Sequence, residues 1–324
     1  MYNKRMMNRI LFWFKNSRPF SIPMTVLSWL VVFIYAMKYG GNVTRGILAL
    51  IGIIFAHLAT NLYDDYVDYK SSLKSGSFQK ISGKTKCEYI KRGQATLAEL
   101  LKVIVVYCAI ASVAGIYLAF TAGWPVILLA AIGGLITLTY PKISAAGFSE
   151  LYVGIAFGPL LFEGVYYVMC RGFSLEVLLL SLAVVSFTVG VVYMNNFLDY
   201  DNDLAEGKKS ICLRFRDKQK AAMGLLYLYS AGYVFCMILT LYSWDYVYYI
   251  PAITMLLAYR LYLSAKEYAT NKDFVPAVRW WYYPLENWGN IQKSGNASFY
   301  LRLFLSRNLM VWFSVLMCIA VSFI

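Results

Sequence analysis

This chain is short of charge. Only 15% of its 324 residues are Asp, Glu, Lys or Arg, against about 25% in soluble globular domains. Histidine occurs once, at His57. The six cysteines, Cys87, Cys108, Cys170, Cys212, Cys236 and Cys318, are scattered and form no CxxC pair. They read as small core residues and exclude a disulfide scaffold or a cysteine metal site. What is abundant is apolar: 60% of residues are hydrophobic, where a soluble domain carries about 45–50%. One soluble core cannot hide that much apolar surface. The composition excludes a disordered chain, a collagen-like fibre and an ordinary cytosolic enzyme. It leaves an all-α polytopic membrane protein, at about 20 residues per span.

Nine apolar spans are expected, over 22–37, 46–66, 98–120, 124–140, 147–169, 175–198, 221–241, 245–263 and 302–324, forming one domain over 1–324. The net charge is +13. In a soluble protein this would suggest nucleic acid; here no nucleic-acid partner is expected, because the basic residues sort by loop. With nine spans, 24 Lys and Arg fall on one side and three on the other. The positive-inside rule then puts the N-terminus and the loops after spans 2 and 6 in the cytoplasm, and the C-terminus outside. The lipid bilayer is the first partner. The connection before the last span carries Trp280, Trp281, Tyr282, Tyr283 and Trp288, which suit an interfacial anchor or a lid.

Two acidic clusters end two of these spans. Span 2 closes on His57-Leu-Ala-Thr-Asn61-Leu-Tyr-Asp64-Asp65-Tyr66-Val-Asp68. Positions 57, 61, 64 and 68 share one helix face. Span 6 closes on Asn195-Asn196-Phe-Leu-Asp199-Tyr-Asp-Asn-Asp203. Each cluster holds a DxxxD pair and precedes a Lys-rich loop. Like charges at i, i+4 repel, and burial at a membrane face worsens it. Divalent cations with oxygen ligands offset this, above all when shared with substrate phosphates. Acids beside lysines are what a diphosphate leaving group needs. An apolar bundle behind them suits a hydrocarbon tail. Together they point to a polyprenyl diphosphate.

With these motifs the chain resembles the UbiA superfamily of intramembrane prenyltransferases, nearest to its 1,4-dihydroxy-2-naphthoate polyprenyltransferase branch. That branch carries NxxNDYxD, here Asn61 to Asp68, and NNxxDxxxDxxxGKxT, here Asn195 to Ser210. Gly147-Phe148-Ser149-Glu150 is similar to its GLGE. The resemblance implies nine helices around a central cavity and Mg²⁺-dependent prenyl transfer, with Mn²⁺ as the alternative ion. The acceptor it implies is an aromatic ring that also loses carbon dioxide, in menaquinone biosynthesis. It also implies a bacterial inner membrane.

Mapped residue by residue, it makes Asp65, Asp68, Asp199 and Asp203 the catalytic acids. The metal set is those four with Asn61, Asp64, Asn195 and Asn196. Lys86, Arg92, Lys142, Lys208 and Arg214 would meet the diphosphate. Tyr66 and Tyr140 would face the allylic cation. His57 reads either as helix packing or as an acceptor-side proton handler, and Glu150 either as a solvated helix-start acid or as a site residue. Glu163, within span 5, is a functional candidate because intramembrane acids are costly. Asp64 stands where the branch has Asn. The Tyr140-Pro141-Lys142 segment is similar to a turn of the 4-hydroxybenzoate (ubiquinone-type) branch, which is the alternative acceptor. An ion-coupled transporter is the rival class, but it usually keeps its charges at the midplane.

Overall fold

The structure, a computed structural model, describes residues 2–74 and 87–324. Among the described residues every regular element is helical, and eight helices are long and apolar enough to cross a membrane. In chain order the first elements are α1 (Tyr2–Asn16), α2 (Ile22–Lys38), α3 (Val43–Lys74), α4 (Glu88–Lys91), α5 (Leu97–Ala122) and α6 (Pro125–Ala145). Then come α7 (Ser149–Ile155), α8 (Leu161–Cys170), α9 (Leu175–Leu198), α10 (Tyr200–Ala205) and α11 (Lys218–Ser243). The last are α12 (Met255–Thr270), α13 (Trp288–Lys293) and α14 (Ala297–Ser322).

The expected eighth span, 245–263, departs from a simple helix. It is a 3-10 helix over Tyr246–Thr254, containing Pro251, that runs into α12. Proline has no N–H for the i−4 bond, and the tighter winding absorbs the loss. Span 5 is also interrupted. A π turn over Ala156–Leu160 joins α7 to α8, with Gly158 at φ −95°, ψ −111° ahead of Pro159. A Cβ at Gly158 would stand 2.9 Å from Val185 Cγ1, so the kink needs glycine. Helix α3 exceeds its expected span, at 32 residues, or about 48 Å. The helix therefore runs on past Asp68, the last acid of the first cluster.

The chain forms two compact units, one of residues 1–26 and 42–142 and one of residues 27–41 and 143–324. In the first, α3 packs along α5. Trp13, Leu62, Tyr89, Leu100 and Ile104 make a buried cluster. Helix α5 begins with a capping box: Glu99 N–H donates to Thr96 Oγ1 at 3.2 Å, and Thr96 N–H donates to Glu99 Oε2 at 2.9 Å. In the second unit α9 is the central helix, 78% buried over its apolar window, packed by α11 and α14. Phe187 stacks on Phe313 at 3.8 Å and on Tyr229 at 5.3 Å.

Glu163 has a structural task here: its Oε2 accepts the Ser174 N–H at 3.3 Å, where the chain turns into α9. Cys87, Cys212, Cys236 and Cys318 are buried and all six cysteines are free thiols.

Candidate active site

The first acid cluster faces the segment just ahead of α2. Asn61 Nδ2 donates to Ser17 O at 3.1 Å and to Ser21 Oγ at 3.2 Å. The His57 ring lies 3.0 Å from Ser21 Oγ through Nε2 and 2.7 Å from Thr25 Oγ1 through Nδ1. Both ring nitrogens thus meet hydroxyls, which favours the packing reading of His57.

The next partner is a residue the sequence reading counted only as a loop charge. Arg18 donates to Asp64 Oδ2 at 3.3 Å and also to Asp65 Oδ1. Asp64 and Asp65 are 4% and 3% exposed, so their charges need this partner. Burial works against the Arg18 cation, but Asp65 and Asp64 outweigh it and raise its pKa. Arg18 sits in the left-handed region at φ 59°, ψ 55°, a conformation few non-glycine residues adopt. It turns the chain into the 3-10 turn Pro19–Ser21. The available signal was an arginine directly before a proline at the start of a span.

Other expected residues of this unit are placed differently. Asp68 lies one turn beyond Asp64 on the same stripe, half-buried. Tyr66 lies about 200° round α3 from Asp64. It packs on the Trp13–Tyr89 cluster with Lys70 Nζ 5.6 Å from its ring. It is therefore not brought to the stripe. Tyr140 is half-buried. Lys142 is exposed near the end of α6, which continues through Pro141 to Ala145; the expected Tyr-Pro turn is helix. Arg92 is exposed and pairs with Glu88 one turn back. Lys86 lies outside the described residues.

The second cluster is built around the end of α9. Asp199 is both the C-cap of α9 and the start of α10. Asp203 N–H donates to Asp199 O at 2.9 Å, so the two acids sit one helical turn apart. Lys208 Nζ lies 3.0 Å from Asp203 Oδ1 and 2.8 Å from Glu206 Oε2. Burial opposes the Lys208 charge, yet Glu206 and Asp203 raise its pKa. Asn196 Nδ2 donates to Glu150 Oε1 at 2.8 Å, and Ser149 Oγ donates to Glu150 Oε2 at 3.0 Å. Glu150 is only 3% exposed. It is thus no solvated helix-start acid; it anchors the second motif.

Gly147 makes this docking possible. Its φ is +85°, and a Cβ there would stand 2.8 Å from the Lys209 carbonyl carbon. Arg214, exposed, holds its guanidinium 4.3 Å over the Phe148 ring. Asn195 is exposed.

Asp201, between the motif acids, is held by Lys218 Nζ at 2.6 Å and by Lys272. Burial pushes its pKa up, but the two lysines outweigh that and lower it from 3.8. A depressed folded pKa adds stability that is full above the unfolded value and lost as pH falls through the folded one. Asp201→Asn should therefore reduce the thermal stability of the detergent-purified protein at pH 7 while flattening its decline below about pH 4. Melting curves at pH 3 and 7 check this; an unchanged pH profile would remove the assigned role.

Among the described residues no group of three His, Cys, Asp or Glu side chains closes on one point. Mg²⁺ does not require one. It takes one or two carboxylates, water and substrate phosphates. Asp199 and Asp203, hard oxygen donors one turn apart, fit that demand. Asp64 and Asp65 already carry a cation in Arg18.

The chain is similar to known prenyltransferases. The 1,4-dihydroxy-2-naphthoate octaprenyltransferase of Bacillus subtilis (strain 168) is 22% identical over 244 residues, 71% of this chain and 75% of that protein. The 2-carboxy-1,4-naphthoquinone phytyltransferase of Synechocystis is 31% identical over 99 residues, covering 29% of this chain and 32% of that protein. A solved UbiA homologue from Aeropyrum pernix K1 shares the fold at TM-score 0.59 and 18% identity, over 89% of this chain and 97% of that one. A digeranylgeranylglyceryl phosphate synthase does so at TM-score 0.59 and 12% identity, over 98% and 100%. The UbiA prenyltransferase family profile matches residues 22–282. With that match across most of its length, the chain belongs to the UbiA prenyltransferase family.

Proposed function

We propose that this membrane enzyme transfers a polyprenyl group from a polyprenyl diphosphate to 1,4-dihydroxy-2-naphthoate, in menaquinone-type quinone biosynthesis. The observation that carries the reading is the second motif, with Asp199 and Asp203 one turn apart, Lys208 paired to Asp203, and Asn196 locked to buried Glu150. The names of the Bacillus and Synechocystis relatives support the naphthoate acceptor.

In this reading the C1–O bond of the prenyl diphosphate breaks and diphosphate leaves with the electron pair. A ring carbon of the acceptor bonds to C1, and the ring regains aromaticity by losing its carboxyl group as carbon dioxide. Mg²⁺, when bound, supplies charge neutralisation of the leaving diphosphate. Asp199 and Asp203 would hold it in the second motif, and Asp68 is the candidate ligand of the first. Lys208 would exchange its carboxylate partners for phosphate oxygens, with Arg214 beside the leaving group. Arg18 would orient Asp64 and Asp65. The apolar spans would keep water from the allylic cation.

Purified protein supplied with a polyprenyl diphosphate, Mg²⁺ and either acceptor tests the reading. The expected product is a demethylmenaquinol, with 4-hydroxybenzoate used at least about 10-fold less well, since a site built for one acceptor's polar groups rejects analogues strongly. The reverse preference would move the chain to the 4-hydroxybenzoate branch and leave the diphosphate chemistry intact.

We further infer that the acid motifs face the cytoplasm, from the distribution of basic residues. The native cysteines of the basic loops cannot report this: Cys87 and Cys212 are 1% and 0% exposed, so a labelling reagent would miss them on either side. Helix α11 offers better positions, because Lys220 is exposed at one end and Trp244 is 80% exposed just past the other. In intact cells a membrane-impermeant thiol reagent should label Trp244→Cys and spare Lys220→Cys. The opposite pattern would invert the topology.

A further inference from the structure

Helix α1, ahead of the first span, has three distinct faces. Arg9, Phe12, Trp13 and Asn16 share one of them by the i, i+3, i+4, i+7 rule. Arg9 Nη1 donates to Gln94 O at 3.1 Å, and its Nη2 donates to Glu99 Oε1 at 2.6 Å. Phe12 and Trp13 meet the Tyr89 ring edge to face, at 5.9 Å and 5.7 Å between centres. Trp13 is buried in the cluster that holds Leu62, Leu100 and Ile104. This face docks α1 on the rest of the first unit.

Ile10, Leu11 and Phe14 lie about 160° round the helix from that face, at 3.6 residues per turn. They are 58%, 48% and 40% exposed. Phe20, in the 3-10 turn that follows, is 69% exposed. Asn8 and Lys15, both exposed, fall on the edge between the docked and apolar faces. A helix on a water-facing surface carries polar residues opposite its docked face. Here three large apolar side chains stand there instead, and a contiguous exposed apolar patch marks a surface with a partner.

Depth and charge identify the partner. The docked face meets α5 between Glu99 and Ile104, in the first two turns of that span. In the same turns Leu101 and Val105 point outward and are exposed, as side chains facing lipid tails are. Glu99 and Arg9, one turn back, are charged and partly exposed. Helix α1 therefore sits where an apolar span gives way to polar headgroups. Residues 1–18 hold five Lys and Arg and no Asp or Glu, and basic segments at a bilayer surface are drawn to anionic lipid. An apolar face, a basic edge and boundary depth are the features of a helix that lies in the interface plane. A second copy of α1 would set like charges against each other, which is costly.

We propose that α1 lies in the interface of an anionic lipid leaflet, with Ile10, Leu11, Phe14 and Phe20 among the acyl chains and Lys15 at the headgroups. The contact adjoins the first motif, since Arg18 follows the end of α1 by two residues. The full-length protein in nanodiscs of equal phosphatidylglycerol and phosphatidylcholine tests this without reference to turnover. Cys108→Ser and Cys170→Ser remove the thiols that are not buried. A nitrobenzoxadiazole fluorophore on Leu11→Cys or Phe14→Cys should be quenched by phospholipid carrying a nitroxide on its acyl chain and shielded from aqueous iodide. On Asn8→Cys the order should reverse. At equal mole fraction, nitroxide phosphatidylglycerol should quench the probe at position 11 more than nitroxide phosphatidylcholine does. Lys15→Gln, at an exposed position, should lower that preference about five-fold, the effect of one cation near a lipid surface. Iodide quenching at positions 11 and 14 would overturn the proposal by placing the face in water. Protection from both quenchers would also overturn it, because protein, a second copy included, would then cover the face. Equal quenching by the two lipids, or a preference unchanged in Lys15→Gln, would overturn the anionic partner.

Discussion

Asp199→Ala is expected to lower prenyl transfer by at least about 100-fold, the effect of removing one group that stabilises a developing negative charge. The acid sits at the junction of α9 and α10, one turn from Asp203. Without it, the leaving diphosphate would face Asp203, Glu206 and Asp201 with less cation between them. Asp68→Ala should fall as far. Two controls separate this from misfolding. Asp199→Asn keeps the shape and an oxygen but removes the charge, and should be nearly as inactive while melting like the wild type. The wild type should lose activity in EDTA and regain it with Mg²⁺ or Mn²⁺. Full turnover in EDTA, or in Asp199→Ala, would end the diphosphate–metal reading.

The second large effect is expected at Arg18. Removing one member of a buried ion pair costs about 3–5 kcal/mol, because it strands a charge in a poor dielectric. Arg18 pairs with two buried carboxylates, although its own side chain is 27% exposed, so the lower end, about 3 kcal/mol, is the expected cost of Arg18→Met. Turnover should drop with it, since Asp65 would seek another cation or a proton. Arg18→Lys should recover only part, because an ammonium cannot span two carboxylates as a planar guanidinium does. Asp64→Asn by itself removes a charge that Arg18 already balances, and it should be tolerated. Placed on Arg18→Met it should restore stability, giving a double-mutant cycle with clear coupling. Additive losses in melting temperature would show that the pair does not act as a unit.

That pairing also shows where sequence reasoning stops. Composition and hydropathy determined that the chain crosses a membrane as helices, because an apolar backbone in lipid must bond to itself. Periodicity alone put His57, Asn61, Asp64 and Asp68 on one face of α3, since 3.6 residues per turn is a local rule. The motifs Asn61–Asp68 and Asn195–Ser210 marked the family, and Gly147–Glu150 was visible as a motif. What the stripe faces was not legible. Arg18 is 46 residues from Asp64, and Glu150 is 46 from Asn196. A spacing that long carries no periodic signal, so only packing decides which charge meets which.

The same holds for the helices that broke. Pro251 and Gly158–Pro159 were plain in the sequence, but whether a proline ends a span, tightens it into a 3-10 stretch or opens a π turn depends on the neighbouring side chains. Val185, pressed against Gly158, is one of them. Tyr66 is the reverse case. Its place beside the acids in sequence suggested the site, yet two residues along a helix is about 200° of rotation, and the hydrophobic cluster of Trp13 and Tyr89 claimed its ring. Sequence by itself determined the elements and the chemistry they carry. Tertiary structure decided the partners, because burial makes each charge find one and the chain must fold before any is within reach.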